Sequence, residues 1–434
     1  MNYILLSGGS GKRLWPLSNE VRSKQFIKIL KSSDGSMESM VQRVYRQINT
    51  IDKNANITIA TSINQVPQLK NQLGNNIDIS IEPARRDTFP AIALASFYLI
   101  DKKNISLDDT VVISPVDPYV SDEYFSKMLE LDNKVKKEDI NIGLIGIKPT
   151  YPSEKYGYIL EKNDTVEFKE KPNLEKAKQF LKEGALWNAG VFCFKLSYIK
   201  EKTKELTGFD SYNDLYNNYE TLEKISFDYA VVEKEKNIKL VEYNGEWKDI
   251  GTWNTLCEVM SDNSIGSALV DNKSSNINIV NELDIPIIAM GLKDIVIAAS
   301  ADGIFVSDKG ESSYNKPLVE KLDNRPMYEE RAWGDFKILD MYKNSLVKHL
   351  FIKKGEHISY QKHNHRDEVW TIVDGTGEFV LNDEIKKVKS GDVLMIKQGD
   401  KHALRAIEDL HFIEVQIGSE LSEDDIERYD HDWK

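Results

Sequence analysis

The sequence predicts an α/β protein in three parts: an open, mostly parallel sheet flanked by helices, a small β connector and a C-terminal β-barrel. In the first half of the chain, apolar strand-like runs alternate with helical stretches, and after residue 262 they give way to short β runs with polar turns. The last hundred residues contain strictly alternating strands and all seven histidines of the chain. We therefore expect domains at residues 1–262, 263–325 and 326–434.

Length, composition and net charge exclude several classes of protein. The chain has 434 residues, 41% apolar and 29% charged, as expected of a globular protein with more than one core. It has no apolar run long enough to span a bilayer, no recognisable signal peptide and only two cysteines, Cys193 and Cys257, so we expect a cytoplasmic location. A net charge of −13 argues against nucleic acid or an anionic membrane as a partner. Any phosphate chemistry must therefore use a local basic cluster.

The first part of the chain has the rhythm of βαβ units in a mostly parallel sheet. Its strands are expected at residues 3–6, 57–61, 77–81, 110–114 and 142–147, with helices at 37–48 and 90–100. Connector strands are expected at 277–280, 285–289, 295–299 and 304–306, followed by a linker over 309–330. Barrel strands are expected at 368–373, 378–381 and 392–396, with glycine turns between them.

A glycine-rich basic stretch, SGGSGKRLWPLSNEVRSKQF at residues 7–26, follows the first apolar strand. It is not a P-loop, because Leu6 stands where the first glycine belongs and Arg13 replaces the hydroxyl residue. It is not a dinucleotide fingerprint either, because Leu14 stands in place of the third glycine.

After these two exclusions, the pattern is a strand followed by closely spaced glycines. Glycines let backbone N–H groups turn towards a polyanion. The candidate phosphate-binding residues are Gly8, Gly9, Gly11, Lys12, Arg13 and Lys24. The alternative is an ordinary glycine-rich turn with solvated cations.

Two aspartates from distant segments are candidates for a magnesium site. Asp117 follows the apolar strand at 111–115, at the strand end where ligands of open α/β sheets bind. Asp249 lies in the segment WKDIGTW at 247–253. Mg²⁺ is commonly held by one or two carboxylates together with waters and substrate phosphates. Either aspartate alone is more often a helix cap or a turn residue.

The C-terminal part contains two motifs of spaced glycines and polar residues. The first runs from Gly355 to Gly375 and includes Gln361, His363 and Glu368, and the second runs from Gly391 to His402. Their spacing is that of the two cupin motifs, which would place Gln361, His363, Glu368 and His402 inside the barrel. Two imidazoles, a carboxylate and an amide oxygen suit a borderline metal, with Zn²⁺ favoured. The alternative is a polar barrel mouth without a metal.

Taken together, these motifs resemble the sugar-phosphate nucleotidyltransferases, specifically the long bacterial mannose-1-phosphate guanylyltransferase type with a C-terminal cupin similar to phosphomannose isomerases. The resemblance covers nearly the whole chain. The matching motifs lie at residues 8–18, 24–26, 82–83, 86–88, 90–92, 156–159, 170–172, 187–192, 227–230 and 247–253.

The resemblance implies a Rossmann-like nucleotidyltransferase domain with a mixed sheet, in which a sugar 1-phosphate attacks the α-phosphorus of GTP or another NTP. The glycine loop, which is residues 8–11, would hold the triphosphate together with Arg13. Lys24 would neutralise the reacting phosphates, and Asp117 and Asp249 would carry Mg²⁺. The nucleoside pocket would contain Glu82, Arg86, Asp87 and Thr88. The sugar-phosphate pocket would contain Tyr156, Gly157, Glu170, Lys171 and Asn188. A homodimer is also expected.

The sequence departs from the family pattern at several positions. Asn19 and Ser23 stand where arginine and proline are usual, and Arg22 is a candidate replacement for the lost charge. Asp87 occupies a position where asparagine is usual in the family, and Pro118 occupies one where histidine is usual. The usual closing Tyr-Gly-Arg of the cupin is absent, which leaves its mannose-6-phosphate isomerase activity open.

Two alternatives to a guanylyltransferase remain open at this point. One is a nucleotidyltransferase that uses another sugar 1-phosphate or another base and has a structural cupin. The other is a catalytically silent nucleotide-sugar sensor. Retention of Arg13, Lys24, Asp117, Lys171 and Asp249 together favours an enzyme.

Overall fold

The computed structural model describes residues 1–9, 12–19, 21–162, 165–322 and 325–433. The chain forms two compact units. The first unit contains Met1–Gly11, Ser23–Val66 and Asn76–Ser261, and the second contains Lys12–Arg22, Pro67–Asn75 and Asp262–Lys434. No helix within the described ranges is both long and apolar enough to cross a membrane.

The first unit is built on a mixed sheet, which confirms the predicted α/β class. Parallel pairs join Asn2–Leu6 to both Asn56–Ser62 and Thr110–Pro115. The long strand Leu186–Lys195 runs antiparallel to Thr110–Pro115 and makes the sheet mixed. The remaining strands of the sheet are Asp78–Glu82, Ile142–Ile147, Tyr158–Lys162, Thr165–Lys169 and Ile238–Tyr243.

Burial explains why the central strands read as continuous apolar runs. Tyr3, Ile4 and Leu5 have no exposed surface, and helix Thr88–Phe97 packs against their strand. A sheet covered on both faces requires apolar residues on both faces of each strand. The other helices of the first unit are Met40–Ile51, Tyr98–Lys102 (a π-helical turn), Glu123–Lys137, Leu174–Lys182, Leu196–Thr207, Tyr212–Asn217, Phe227–Ala230 and Trp253–Cys257.

The helix expected from residue 37 begins later, at Met40. Ser39 is its N-cap and accepts a hydrogen bond from the Gln42 amide, while the Gln42 side chain accepts one from the Ser39 amide. This capping box fixes the start of the helix. The residues before it, Met37–Glu38, form a short strand paired with Leu30–Lys31.

The second unit contains the connector and the barrel. In the connector, Ser264–Ile265, Asn278–Asn281 and Ile295–Ser300 pair in parallel, as do Ala268–Val270 and Ile287–Ala289. Gly303–Asp308 pairs antiparallel with Ile295–Ser300 and is the edge strand of the larger sheet. The expected linker at 309–330 contains the short helix Lys316–Val319 and the start of the strand Tyr328–Arg331.

The barrel is made of two antiparallel sheets around an apolar core that includes Trp370 and Phe412. One sheet contains Tyr328–Arg331, Gly334–Tyr342, Ser345–Ile352, Arg366–Asp374, Val393–Ile396 and Leu410–Gly418. The other contains Tyr360–Lys362, Thr376–Leu381, Glu384–Lys389, His402–Ala406 and Glu427–Tyr429.

The segment Lys12–Arg22 is held to the connector by polar contacts. Arg22 is buried and makes two hydrogen bonds to Glu282, at 2.8 and 3.0 Å. Its guanidinium also lies over the Tyr328 ring, 5.3 Å from the centroid. Asn19 donates to Asp302 at 2.6 Å. The charge of Arg22 is therefore paired with Glu282 within the second unit. This pairing argues against the expectation that Arg22 replaces the charge of the missing arginine.

We expect Arg22→Ala to lower the thermal unfolding midpoint by about 5 °C or more, since it leaves the Glu282 carboxylate without its bidentate partner. The matched control is Lys202→Ala, which breaks the exposed pair with Glu205 and should change the midpoint by less than about 2 °C. Calorimetry or dye-based melting measures both variants. Equal midpoints for the two would contradict the assigned role of Arg22.

Candidate functional site

The glycine loop opens on a cavity in the first unit. Gly8 and Gly9 are exposed and line it, and Gly9 has a φ of 119°, which side-chain-bearing residues rarely adopt. Gly11 lies outside the described residues. Lys12 and Arg13 form the short turn Lys12–Leu14 in the second unit, where Arg13 is exposed.

This first cavity has a volume of about 490 Å³. It brings together eight of the predicted residues, which come from four separate segments of the chain. They are Gly8, Gly9, Lys24, Glu82, Arg86, Asp87, Thr88 and Asp117.

The nucleoside candidates are held by specific contacts. Glu82 accepts a hydrogen bond from the Tyr219 hydroxyl at 2.9 Å, and burial raises the pKa of Glu82. Arg86 donates to the Glu220 carbonyl at 3.1 Å. Asp87 has a φ of 70° and caps helix Thr88–Phe97 through the Thr88 amide. These contacts fix the wall formed by residues 82–88.

Lys24 lies between the two aspartates predicted to hold magnesium. Its Nζ is 2.9 Å from Asp117 Oδ2 and 3.7 Å from Asp249 Oδ1, and it donates to the Ile250 carbonyl at 2.9 Å. The aspartates meet because Trp247–Asp249 pairs antiparallel with Pro118–Val120, with Asp249 opposite Pro118. Two half-exposed carboxylates that line the same cavity, the second one described below, are a donor set that fits Mg²⁺.

A second cavity, of about 180 Å³, adjoins the first and shares Pro115 and Asp117 with it. It brings together Tyr156, Gly157, Glu170 and Asn188 from the predicted sugar-phosphate set, with Asp249. Lys171 is exposed, and its Nζ lies 2.7 Å from Glu170 Oε1. The two cavities thus meet at the predicted magnesium site.

Glycine is required at position 157. A Cβ there would come within 2.6 Å of Glu170 Oε2 and 2.9 Å of the Phe168 ring. The missing side chain lets the buried Glu170 carboxylate approach the backbone beside the second cavity.

Asp228 is a residue of this cavity to which the sequence analysis gave no role. It accepts a hydrogen bond from Asn188 Nδ2 at 2.7 Å, while Asn188 Oδ1 accepts one from the Gly190 amide at 3.1 Å. Burial and the nearby Glu170 carboxylate raise the pKa of Asp228 to about 7. The only signal in the sequence was its place in the matching motif at 227–230.

An aromatic wall was also missed. Trp247 lines the second cavity, and the Tyr156 ring packs between Trp247 and Trp187, with centroids 5.5 and 4.8 Å away. Tyr156 was predicted as a sugar-phosphate residue, whereas Trp187 and Trp247 had no predicted role beyond their places in the matching motifs at 187–192 and 247–253.

The barrel contains a candidate metal centre. One ligand atom from each of His363, Glu368 and His402 lies within 4.8 Å of the others, and all three residues are buried. His363 Nδ1 faces the Asp425 carbonyl at 3.1 Å, and His402 Nδ1 faces the Asp400 carbonyl at 3.1 Å. A carbonyl only accepts, so each Nδ1 carries the proton and each Nε2 presents a lone pair.

The lone pairs point at Glu368. His363 Nε2 is 3.2 Å from Glu368 Oε1, and His402 Nε2 is 3.5 Å from Glu368 Oε2. Burial lowers the pKa of His363 to about 4, so this imidazole is neutral near pH 7. Two imidazoles and one carboxylate form a donor set that fits a divalent metal.

Three residues around the metal centre were not predicted. Arg366 Nε donates to Glu368 Oε1 at 2.9 Å, Trp370 Nε1 donates to Oε2 at 3.1 Å, and Gln416 Nε2 donates to Oε1 at 3.2 Å. They fix the carboxylate in the barrel interior. The predicted Gln361 is paired with His402 across neighbouring strands, and its Oε1 accepts from the Ser359 hydroxyl at 2.8 Å.

Two family models match the chain. One, described as Nucleotidyl transferase, covers residues 2–264, and the other, described as Mannose-6-phosphate isomerase C-terminal, covers residues 321–431.

Relatives and a solved structure extend this match. A mannose-1-phosphate guanylyltransferase of Salmonella montevideo is 32% identical, over 98% of this chain and 98% of the relative. The alginate biosynthesis protein AlgA of Pseudomonas fluorescens is 29% identical, over 98% of this chain and 95% of that protein. A crystal structure from Thermus thermophilus, described as a mannose-1-phosphate geranyltransferase, is 25% identical, with a TM-score of 0.60 over 74% of this chain and 99% of that one. The chain therefore belongs to the nucleotidyl transferase family of enzymes, and its C-terminal part is a mannose-6-phosphate isomerase C-terminal domain.

Proposed function

We propose that this nucleotidyltransferase makes GDP-mannose and pyrophosphate from GTP and mannose 1-phosphate, as a cytoplasmic homodimer that supplies polysaccharide synthesis. Relatives named for this activity align along the whole chain, which supports the choice of sugar and base. The observation that carries the proposal is the pair of adjoining cavities that meet at Asp117.

In the proposed reaction, a phosphate oxygen of the sugar 1-phosphate attacks the α-phosphorus of the NTP. The bond from this phosphorus to the bridging oxygen of the β-phosphate breaks, and pyrophosphate leaves. The nucleotide occupies the first cavity and the sugar phosphate the second. Such a transfer depends on positioning and on charge stabilisation.

Each residue has a role in this scheme. Backbone N–H groups of the glycine loop and Arg13 bind the triphosphate, and Glu82 with residues 86–88 binds the nucleoside. Lys24 neutralises the charge that develops around the α-phosphorus. Asp117 and Asp249 would hold Mg²⁺, which supplies charge neutralisation and orientation of the phosphates when bound.

The sugar phosphate is bound by the second cavity. Glu170 accepts from sugar hydroxyls, and Lys171 pairs with the phosphate. Asn188 uses its Nδ2 on Asp228 and its Oδ1 on Gly190, so it supports the cavity wall while Asp228 adds a second carboxyl group. Tyr156 and Gly157 complete the pocket.

The test is a pyrophosphate-release assay with the four NTPs and several sugar 1-phosphates, in the presence of Mg²⁺. GTP with mannose 1-phosphate should give the highest kcat/KM. A different preferred pair would replace the proposed substrates, and no turnover with any pair would reject the enzymatic function.

Asp249→Asn should abolish Mg²⁺-dependent transfer, since an amide is a weaker metal ligand and no longer balances the Lys24 charge. We expect a loss of at least about 100-fold in kcat. The control is Glu246→Gln, which removes an exposed carboxylate that lies close in sequence and lines neither cavity, and which should keep near-normal rates. Near-normal rates for Asp249→Asn would refute the assigned role.

For the barrel we propose a bound divalent metal, with Zn²⁺ favoured, held by His363, Glu368, His402 and Gln361. The buried cluster and its fixed tautomers favour this second function. A metal held there would supply polarisation of the substrate carbonyl, and an active barrel would interconvert fructose 6-phosphate and mannose 6-phosphate by proton transfer between C1 and C2.

Elemental analysis of purified protein should find about one divalent metal in the barrel per chain, and His402→Ala should lose it. His411→Ala is the control, because His411 stacks on His349 on other strands and is not part of the cluster. An isomerase assay on the same samples decides between an active and a structural barrel. Absence of both metal and isomerase activity would leave only a structural role.

A further inference from the structure

A buried hydrogen-bond network lies directly behind the glycine loop. Ser23 has no exposed surface, and its hydroxyl donates to the Gly9 carbonyl at 3.0 Å. Gln65 is also buried, and its Nε2 donates to Ser23 Oγ at 2.7 Å and lies 3.3 Å from the Gly9 carbonyl oxygen. Two side chains from separate segments of the first unit thus converge on one carbonyl.

The direction of these hydrogen bonds is fixed by chemistry. The Gly9 carbonyl only accepts, so the Ser23 proton points at it and a Ser23 lone pair faces Gln65. Gln65 Oε1 lies 2.7 Å from the Thr61 hydroxyl, which orients the amide so that its NH₂ group faces Ser23. The Thr61 hydroxyl is also 3.1 Å from the Ser7 carbonyl oxygen, so its single proton is shared between this oxygen and Gln65 Oε1, and Gln25 Nε2 donates to the same carbonyl at 3.4 Å.

The carbonyls of Ser7 and Gly9 therefore face buried side chains, while Gly8 and Gly9 line the first cavity. In a trans peptide the N–H points away from the C=O. Holding the Ser7 carbonyl inwards keeps the Gly8 N–H on the side opposite to the network. Glycines are otherwise free to rotate, and their ordering costs entropy when a ligand binds.

We propose that Ser23, Gln65 and Thr61 are positioning residues that preorganise the glycine loop for the triphosphate. This inference rests on the proposed function, because it assigns the loop to the NTP. The network belongs to this chain in particular, since proline, the usual residue of the family at position 23, has no hydroxyl. Ser23 has φ −72° and ψ 158°, which proline also adopts, so the backbone here does not itself require serine.

The test uses Ser23→Ala, Ser23→Pro and Gln65→Met in the full chain. Each should raise the KM for the NTP about tenfold and weaken calorimetric binding of Mg–GTP by a similar factor. The KM for the sugar 1-phosphate and the kcat at saturation should stay within about twofold of wild type, because the side chains of the network hydrogen-bond to the glycine loop and to one another.

The control is Ser312→Ala, which removes another buried serine that donates to a backbone carbonyl, at 2.6 Å from Lys309 O. It should lower the melting temperature about as much as Ser23→Ala and leave the KM for the NTP unchanged. If Ser23→Ala and Gln65→Met only lower the melting temperature, the network is structural and the inference is overturned. A fall in kcat without a change in the KM for the NTP would overturn it as well.

The two proposals can fail separately. If wild type turns over no NTP with any sugar 1-phosphate, the proposed function fails, and binding of Mg–GTP still tests the network. Equal dissociation constants for wild type and Ser23→Ala, or no binding by wild type, would then overturn the inference.

Discussion

The bridge from Lys24 to Asp117 and Asp249 is the interaction on which the catalytic unit depends. Two carboxylates brought to one place repel each other, and an ammonium between them offsets that repulsion. The short ribbon of Pro118–Val120 and Trp247–Asp249 brings them together, and Lys24 joins them from the segment after the glycine loop. The same three side chains lie where the two cavities meet, so in the proposed reaction both substrates are arranged around this contact.

The barrel also depends on a carboxylate, which here is buried. Glu368 is a carboxylate with almost no exposed surface, and its oxygens accept hydrogen bonds from Arg366, Trp370 and Gln416. A buried charge is tolerated only when it is paired and hydrogen-bonded. The histidines face it with lone pairs because backbone carbonyls hold their protons on the other nitrogen. Geometry that satisfies the carboxylate is thus also geometry that suits a metal.

The basic stretch at residues 7–26 is divided between the two units of the chain. Its glycine end and Lys24 belong to the first unit, whereas Lys12–Arg22 belongs to the second. The two residues of this stretch that depart from the family pattern have partners of their own, because Asn19 contacts Asp302 and Ser23 contacts Gly9, while Arg22 between them pairs with Glu282. Asn19 and Arg22 are thus bound within the second unit, whereas Ser23 is bound to the glycine loop of the first unit, next to Lys24.

The sequence by itself determined the α/β class, the connector and the barrel, because their hydrophobic periods are local properties of the chain. It also determined the identity of the main polar residues, since glycine loops, carboxylates and spaced histidines have chemistry that can be read one motif at a time. Only the tertiary structure decided which of these residues meet. The Asn188 contact with Asp228, the aromatic wall at Trp247 and the commitment of Arg22 to Glu282 join segments far apart in sequence, and no local pattern encodes such distances. The start of helix Met40–Ile51 likewise depended on a side-chain cap, which apolar periodicity does not reveal.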